Sequence, residues 1–208
     1  MSISRRGFLI GLPLALASCT TSGVQQALYG PRPDEKFPLA RVPIENIKPE
    51  LRRTEVAYET HHPAGTVVVD TPAKRLYYVM GGGRAMRYGV GVGRNGYSLA
   101  GYAIVGRKAE WPSWTPSPNM LRQHPEKNMK YAGGVPGGPN NPLGARAMYL
   151  YQRGHDTMFR IHGTNQPQSI GLAMSSGCIR MMNHDVIDLY SRVNVGDSVY
   201  VIQGIRDV

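Results

Sequence analysis

Short runs of β-branched, aromatic and aliphatic residues recur between residues 65 and 203. Each run is six to ten residues long, and most are bounded by Gly, Pro, Asn or Asp, the pattern of strands joined by tight turns. The triplet Gly81-Gly82-Gly83 supplies one such turn. The pattern predicts a mainly β domain with strands at 65–70, 74–80, 84–93, 101–110, 145–151, 157–163 and 196–203.

One segment has helical rather than strand periodicity. In residues 183–193, apolar side chains recur at helix spacing. Asn183 is a residue type favoured at helix N-caps, and Gly196 follows as a stop signal. We therefore expect one short helix near the C-terminal end of the β domain.

The segment that precedes the strands has a different character. Residues 19–55 contain several prolines and lack strong periodicity, which predicts a tether with little secondary structure. The domain proper is expected to occupy residues 56–208.

A long irregular segment, residues 111–144, interrupts the strand pattern. Segments of this length inside a compact domain are often lids or binding loops. It contains Trp111 and Trp114, which we expect to form a wall of a substrate site. A surface excursion without a role is the alternative.

The formal net charge is +10. A basic surface can attract nucleic acid, anionic lipid or an acidic cell-wall polymer. The chain has no basic helix, zinc-finger spacing or nucleic-acid motif, so we expect no nucleic-acid partner. Because the charges are scattered, a solvated surface without a dedicated partner is the alternative.

The N-terminus is similar to a bacterial export signal. Arg5 and Arg6 precede an apolar run at 7–17, which is too short to span a bilayer as a helix of ~20 residues. We interpret residues 1–18 as a twin-arginine-type signal peptide, with an ordinary secretory signal as the alternative. This predicts a periplasmic or cell-envelope location.

The sequence Leu-Ala-Ser-Cys at 16–19 resembles a lipobox, so Cys19 is a candidate lipidation site and membrane anchor. A soluble cleaved protein is the alternative. The chain has two cysteines. If Cys19 is lipidated or removed, Cys178 is left without a disulfide partner, and a lone thiol in an oxidising compartment suggests a chemical role.

Cys178 lies in the sequence SSGCIRM, residues 175–181. A nucleophilic thiol requires a base or a positive field, together with amide donors for the oxyanion. Gly177 allows a sharp turn that presents successive N–H groups. Among six histidines, His162 is the candidate base, because it ends an apolar strand and is followed by Gly163. A purely structural strand-end histidine is the alternative.

A metal site is a further hypothesis. Zinc bound by His155, His162, Cys178 and His184 would use ligand types that zinc prefers, but their spacing matches no common zinc site. We therefore expect no metal.

The sequences IHGTN at 161–165 and SSGCIRM at 175–181 resemble the paired signature of the L,D-transpeptidase catalytic domain (YkuD) family. That signature is His-Gly, a spacer, and Ser/Thr-x-Gly-Cys-x-Arg. The segments 91–94, 141–150 and 185–190 are also similar to the family. The resemblance extends over roughly residues 65–203 and implies a β-sandwich-like domain with one or two short helices, one just after the cysteine.

The resemblance also implies residue roles. Cys178 is the expected nucleophile, His162 its general base, and the Gly163 carbonyl the group that orients the imidazole. Many relatives carry His at the position of Ser176, so proton transfer here is expected to depend on His162. The remaining expected site residues are Ser175, Ser176 and Gly177 for the turn and oxyanion amides, and Arg180, Trp111, Trp114 and Tyr149 for substrate contact. Arg180 could equally brace the turn.

The implied activity is acyl transfer in peptidoglycan without a cofactor. Cys178 would form a thioester with the third residue of a stem tetrapeptide and pass the acyl group to an amine. That amine would belong to another stem, giving a 3-3 cross-link, or to an envelope protein. An L,D-carboxypeptidase and a non-catalytic peptidoglycan-binding lipoprotein are the alternatives, and carbapenem acylation of the sulfur would favour an enzyme.

Overall fold

The domain consists mainly of strands, and one face of their sheet packs against a helix. The computed structural model describes residues 18–93, 99–175 and 177–203, without the side chains of 18–22 and Ser175. In these residues the strands are β1 (Thr54–Ala57), β2 (Val67–Asp70), β3 (Arg75–Gly81), β4 (Arg84–Gly89), β5 (Val92–Gly93), β6 (Gly101–Glu110), β7 (Arg146–Gln152), β8 (His155–His162), β9 (Ala173–Ser175), β10 (Ile179–Arg180) and β11 (Ser198–Ile202).

The helices in the described residues are short. They are α1 (Ser18–Leu28), α2 (Pro118–Gln123), α3 (Pro125–Asn128) and α4 (Asn183–Arg192), with 3₁₀ turns at Ile44–Asn46, Pro49–Leu51, Met129–Tyr131 and Pro167–Ser169. None of them is long and apolar enough to cross a membrane. The mainly β prediction is confirmed, and every predicted strand segment contains an observed strand.

In the part of the chain that the structure describes, nine strands form one mixed sheet in the order β1-β4-β3-β2-β11-β6-β7-β8-β10, and β5 pairs with β9 in a second, two-stranded sheet. Within the large sheet, β2 runs parallel to β11 and β8 runs parallel to β10, while the other neighbouring strands are antiparallel. The chain therefore returns from β8 to β10 by a crossover, which places two sequence-distant strand ends side by side.

The main core lies between one face of this sheet and helix α4. Ile161 on β8 and Ile179 on β10 are paired, and both are buried with Val186 and Leu189 of the helix. Because successive strand residues point to opposite faces, Arg160 and His162 lie on the other face of β8. This alternation assigns the candidate catalytic residues to the face that α4 does not cover.

The start of α4 differs from the prediction. The sequence predicts Asn183 as the N-cap, whereas Met182 occupies that position without a side-chain capping bond. The Asn183 carboxamide oxygen instead accepts hydrogen bonds from the backbone of two other segments. The helix is held at its start by tertiary contacts rather than by its own cap.

The segment predicted as a tether packs against the domain. Residues 29–53, which we call the N-terminal strap, bury Tyr29 completely and leave Arg53 only 2% exposed. The Tyr29 hydroxyl donates to Asp185 at 3.2 Å, and Arg53 pairs with Asp188 at 2.9 Å. Composition predicted a loose segment here, but contacts with α4 fix it. The predicted signal peptide lies outside the described residues, apart from Ser18 at the start of α1.

Candidate active site

Pairing of β8 with β10 brings the two halves of the sequence signature together. Arg180 pairs with His162, and Ile179 pairs with Ile161. Cys178 comes directly before β10, so the same register places it beside Arg160. Alternation along the strands then puts Cys178, Arg180 and His162 on one face of the sheet.

The imidazole of His162 is fixed in one orientation and one tautomer. Its Nδ1 lies 2.5 Å from the Gly163 carbonyl oxygen, and the residue is only 4% exposed. A carbonyl oxygen only accepts, so Nδ1 donates and the lone pair of the neutral ring is on Nε2. Burial, followed by the positive charge of Arg180, lowers the pKa of His162 to about 4. The ring is therefore neutral near pH 7.

Asn183 joins the residue that follows Gly163 to the residue that precedes β7. Its carboxamide oxygen accepts the N–H of Ala145 at 3.0 Å and that of Thr164 at 3.2 Å. A Cβ on Gly163 would lie 2.2 Å from that oxygen, and so would one on Gly144, which has a φ of +63°. The glycine after His162 is thus required by the approach of Asn183, and the bond network fixes the carbonyl that orients the imidazole.

Cys178 is partly exposed at the edge of the sheet. Its Sγ lies 3.9 Å from the Met158 carbonyl oxygen, to which the thiol donates. Burial of the thiol raises the pKa of Cys178, while a backbone hydrogen bond from Arg160 and the charges of Arg160 and Arg180 act in the opposite direction. The two arginines supply a positive field at the sulfur, yet the effect of burial on the pKa of Cys178 is larger. The resting site therefore pairs a protonated thiol with a neutral imidazole.

The backbone of Met158, in β8, has an unusual conformation that positions its carbonyl oxygen near the thiol. Met158 has a φ of +64° and is 62% exposed. Its N–H donates to the Asp156 carboxylate at 2.8 Å, and the same carboxylate takes two hydrogen bonds from Arg160, at 2.7 and 2.9 Å. Left-handed backbone at a non-glycine residue is uncommon and clusters at functional sites. Here it turns the Met158 carbonyl toward the thiol.

The turn that presents the thiol is anchored on both sides. Gly177 is buried with a φ of +121°, a conformation that L side chains rarely adopt. Arg180 and Gly91 exchange backbone hydrogen bonds of 2.8 and 2.9 Å, and β9 pairs with β5 just before the turn. Of the expected oxyanion residues, Ser176 lies outside the described residues, as does the side chain of Ser175.

The expected substrate contacts fall in different environments. The Arg180 guanidinium lies beside the thiol and 3.4 Å from Gln166 Oε1. Tyr149 faces the same side of the sheet as Arg160, with which it pairs. Trp114 is half-buried, and its backbone forms an isolated antiparallel β-bridge with Val135.

The structure does not place Trp111 in an open substrate wall. Its side chain is 5% exposed, its Nε1 donates to Glu35 at 3.0 Å, and its ring lies 5.0 Å from that of Phe37. Glu35 also makes a two-bond ion pair with Arg146, at 2.8 and 2.9 Å. Trp111 therefore ties the N-terminal strap to the start of the 111–144 segment.

The proposed zinc ligands are not gathered. His184 is buried on α4, where its Nε2 lies 2.7 Å from the Gly30 carbonyl oxygen of the strap. The described part of the chain contains no group of three or more His, Cys, Asp or Glu side chains arranged to hold a metal ion.

Sequence analysis missed three residues that shape the site: Arg160, Met158 and Asn183. Arg160 had a signal, because it lies two positions before His162 on the same strand and must share its face. No local pattern indicates the positive φ of Met158. Asn183 was recognised, but as a cap, because its partners are 38 and 19 residues away in sequence.

Comparison with known proteins identifies the family of the chain. A family model described as YkuD, the L,D-transpeptidase catalytic domain, matches residues 64–201. The Probable L,D-transpeptidase ErfK/SrfK of Escherichia coli (strain K12) is 36% identical over 139 residues, covering 65% of this chain and 43% of that protein. This chain thus spans about half the length of the curated relatives it matches.

Solved structures that resemble this chain include one from Brucella melitensis and one from Enterococcus faecium. A Brucella melitensis protein, described as a probable carnitine operon oxidoreductase caia, has 44% identity and a TM-score of 0.51, covering 77% of this chain and 99% of that one. Enterococcus faecium L,D-transpeptidase has 17% identity and a TM-score of 0.50, covering 67% of this chain and 50% of that one, and shares the fold.

Proposed function

The chain belongs to the L,D-transpeptidase catalytic domain family, and from that premise we propose that it is a peptidoglycan L,D-transpeptidase with Cys178 as nucleophile. The observation that carries the proposal is the placement of Cys178 and His162 on one face of adjacent parallel strands, with the imidazole held by Gly163. That tautomer leaves Nε2 available to accept a proton.

In the proposed acylation step, His162 Nε2 takes the thiol proton as the sulfur attacks the carbonyl of the third residue of a stem tetrapeptide. Because the resting thiol is protonated, transfer and attack are coupled rather than starting from a stored thiolate. Backbone N–H groups of the Gly177–Cys178 turn stabilise the oxyanion. The intermediate collapses to a thioester, and the imidazolium returns the proton to the departing amine of D-alanine.

In the second step an acceptor amine attacks the thioester carbonyl and gives its proton to His162. Collapse forms the new amide, breaks the C–S bond and returns the proton to the sulfur. A second stem as acceptor yields a 3-3 cross-link, and a protein amine yields an attached protein. Water as acceptor would make the enzyme an L,D-carboxypeptidase.

The proposed location is the cell envelope. It is supported by Arg5 and Arg6 ahead of an apolar run and by the lipobox-like sequence that ends at Cys19. Radiolabelled palmitate incorporated into the wild-type chain but not into a Cys19→Ala variant would support the anchor, and equal labelling of both would contradict it.

The activity is tested with a synthetic stem tetrapeptide and intact-protein mass spectrometry. We expect an acyl adduct on Cys178, release of D-alanine, and dimeric products when a second stem is supplied. Cys178→Ala should form neither adduct nor product. His155→Ala, at the opposite end of β8, is the matched control and should retain turnover.

Each other outcome has a distinct meaning. Turnover by Cys178→Ala would contradict the nucleophile assignment. Trimmed monomers without dimers would indicate a carboxypeptidase. A wild-type protein that binds the peptide but is acylated by neither peptide nor carbapenem would be a binding protein and not an enzyme.

A further inference from the structure

Two guanidinium groups contact the ring of Tyr149 on the face that carries the thiol. The Cζ atoms of Arg107 and Arg160 lie 3.4 and 4.4 Å from the ring centroid. The tyrosine is only 6% exposed. The register explains this arrangement, because Arg107 on β6 pairs with Tyr149 on β7, which pairs with Arg160 on β8.

The two arginines differ in how their charge is compensated. Arg160 is held by the Asp156 carboxylate, and its side chain is 12% exposed. Arg107 is exposed, and among the described residues no carboxylate lies within ion-pair distance of it. The charge of Arg160 is thus compensated by a carboxylate, whereas the charge of Arg107 is not and faces solvent.

The position of Arg107 relative to the thiol sets a length scale. The row Arg107, Tyr149, Arg160 and Cys178 crosses four neighbouring strands. Neighbouring strands are ~4.8 Å apart, so the Tyr149 position, over which the Arg107 guanidinium lies, is ~10 Å from the strand of Cys178. An extended peptide covers ~3.3–3.6 Å per residue, so one or two residues of substrate backbone cover ~3.5–7 Å of this distance, and a side chain that carries the carboxylate covers the rest.

We propose that Arg107 binds a carboxylate on the acyl part of the donor peptide, one or two residues before the residue that Cys178 attacks. This deepens the proposed function and rests on it. The carboxylate of the leaving residue is not the ligand, because it lies only ~3.5 Å of chain from the scissile carbonyl. Arg180, adjacent to the thiol, is at the shorter distance.

The ring contact suits Arg107 to this role. A guanidinium whose face rests on an aromatic ring keeps its edge N–H groups free to donate in parallel to a carboxylate. Contact with Tyr149 also limits the rotamers of a long side chain, so less conformational entropy is lost on binding. Lysine could supply the charge at this position but not the fork or the planar contact.

The test compares two synthetic stem tetrapeptides, one with a free carboxylate on its second residue and one with that carboxylate amidated. For the free peptide, Arg107→Gln should raise KM roughly 10- to 100-fold with a smaller change in kcat, the range of a charge-assisted hydrogen bond. For the amidated peptide, wild type and variant should have the same KM. Arg84→Gln, an equivalent substitution on β4, should match wild type with both peptides.

Unchanged KM in Arg107→Gln, or an equal rise for both peptides, would overturn the carboxylate subsite. A binding titration separates this failure from that of the proposed function. It measures the affinity of the free peptide for Cys178→Ala with and without Arg107→Gln. If binding depends on Arg107 but the protein with Cys178 intact shows no turnover, the subsite is retained and the proposed activity is contradicted. If binding does not depend on Arg107, the subsite is contradicted.

Discussion

The protonation of His162 gives a quantitative test of the site, because its burial and its charged neighbours set an energy that substitution can remove. Burial, Arg180 and Arg160 lower the pKa of His162 to about 4 in the folded protein. An unfolded histidine has a pKa of about 6.5. The difference corresponds to about 3 kcal/mol of folding free energy linked to the proton.

The sign follows from which state binds the proton. Between pH 6.5 and 4 the unfolded chain takes up a proton at residue 162 that the folded chain does not. The free energy of unfolding therefore decreases as the pH falls through this window, and the full stabilisation is present above pH 6.5. Below pH 4 both states are protonated and this contribution is constant.

The assay is urea unfolding at pH values from 4 to 7.5, followed by fluorescence of the buried Trp111. Wild type is compared with His162→Gln and with the exposed-residue control His124→Gln. The loss of stability between pH 7.5 and pH 4 should be about 3 kcal/mol smaller in His162→Gln. His184, whose pKa is lowered by burial, and Asp185, whose pKa burial raises to about 7, titrate in all three proteins and cancel in the comparison.

Equal pH dependence in wild type and His162→Gln would refute the inference that this imidazole is buried and neutral. The acid limb of kcat/KM provides an independent check. If His162 is the base, that limb should lie near pH 4, and Arg180→Gln should move it toward pH 6.5. An acid limb already at 6.5 in wild type would contradict the structural account.

Three further predictions concern residues that support the site. Arg53→Ala should reduce the free energy of unfolding by about 3 kcal/mol at pH 8, because it leaves the buried Asp185 carboxylate without its cationic partner. The reduction should be smaller at pH 5, where Asp185 is protonated, and urea titrations at the two pH values measure the difference. Gly177→Ala should lower the acylation rate constant roughly 100-fold, as measured in a single turnover. The φ of +121° at Gly177 disfavours a side chain, so the substitution would shift the amides that bind the oxyanion. Asn183→Leu should lower kcat and shift the acid limb of the pH profile of kcat. Asn183→Asp keeps an acceptor oxygen for Thr164 and should restore both values. Equal defects in the two variants would assign Asn183 a packing role alone.

Local sequence predicted the strands and the candidate catalytic pair for a physical reason. Alternation with a period of two residues is imposed by the pleat, so it appears in the sequence wherever a strand has one buried face. The resemblance of the His-Gly and Ser-x-Gly-Cys motifs to a known family was readable because each motif is continuous in the chain. Arg160 was predictable by the same alternation, two residues before His162.

The N-terminal strap was not predictable in this way. Its prolines indicate little regular structure, yet Tyr29 bonds to Asp185 across 156 residues and Glu35 bonds to Arg146 across 111. Such contacts depend on which surfaces the fold brings together, and local composition holds no record of them. Trp111 was misplaced for the same reason, because its burial depends on Phe37 and Glu35 of the strap.

The sequence alone determined a mainly β domain, its strand faces, and a thiol and an imidazole in recognisable motifs. Tertiary structure alone decided that β10 lies parallel to β8, that Asn183 fixes the backbone around Gly163, and that burial keeps both reactive groups neutral at rest. The division is physical: periodicity and turn chemistry act between near neighbours in the chain. Desolvation and strand pairing depend on groups that become neighbours only after folding.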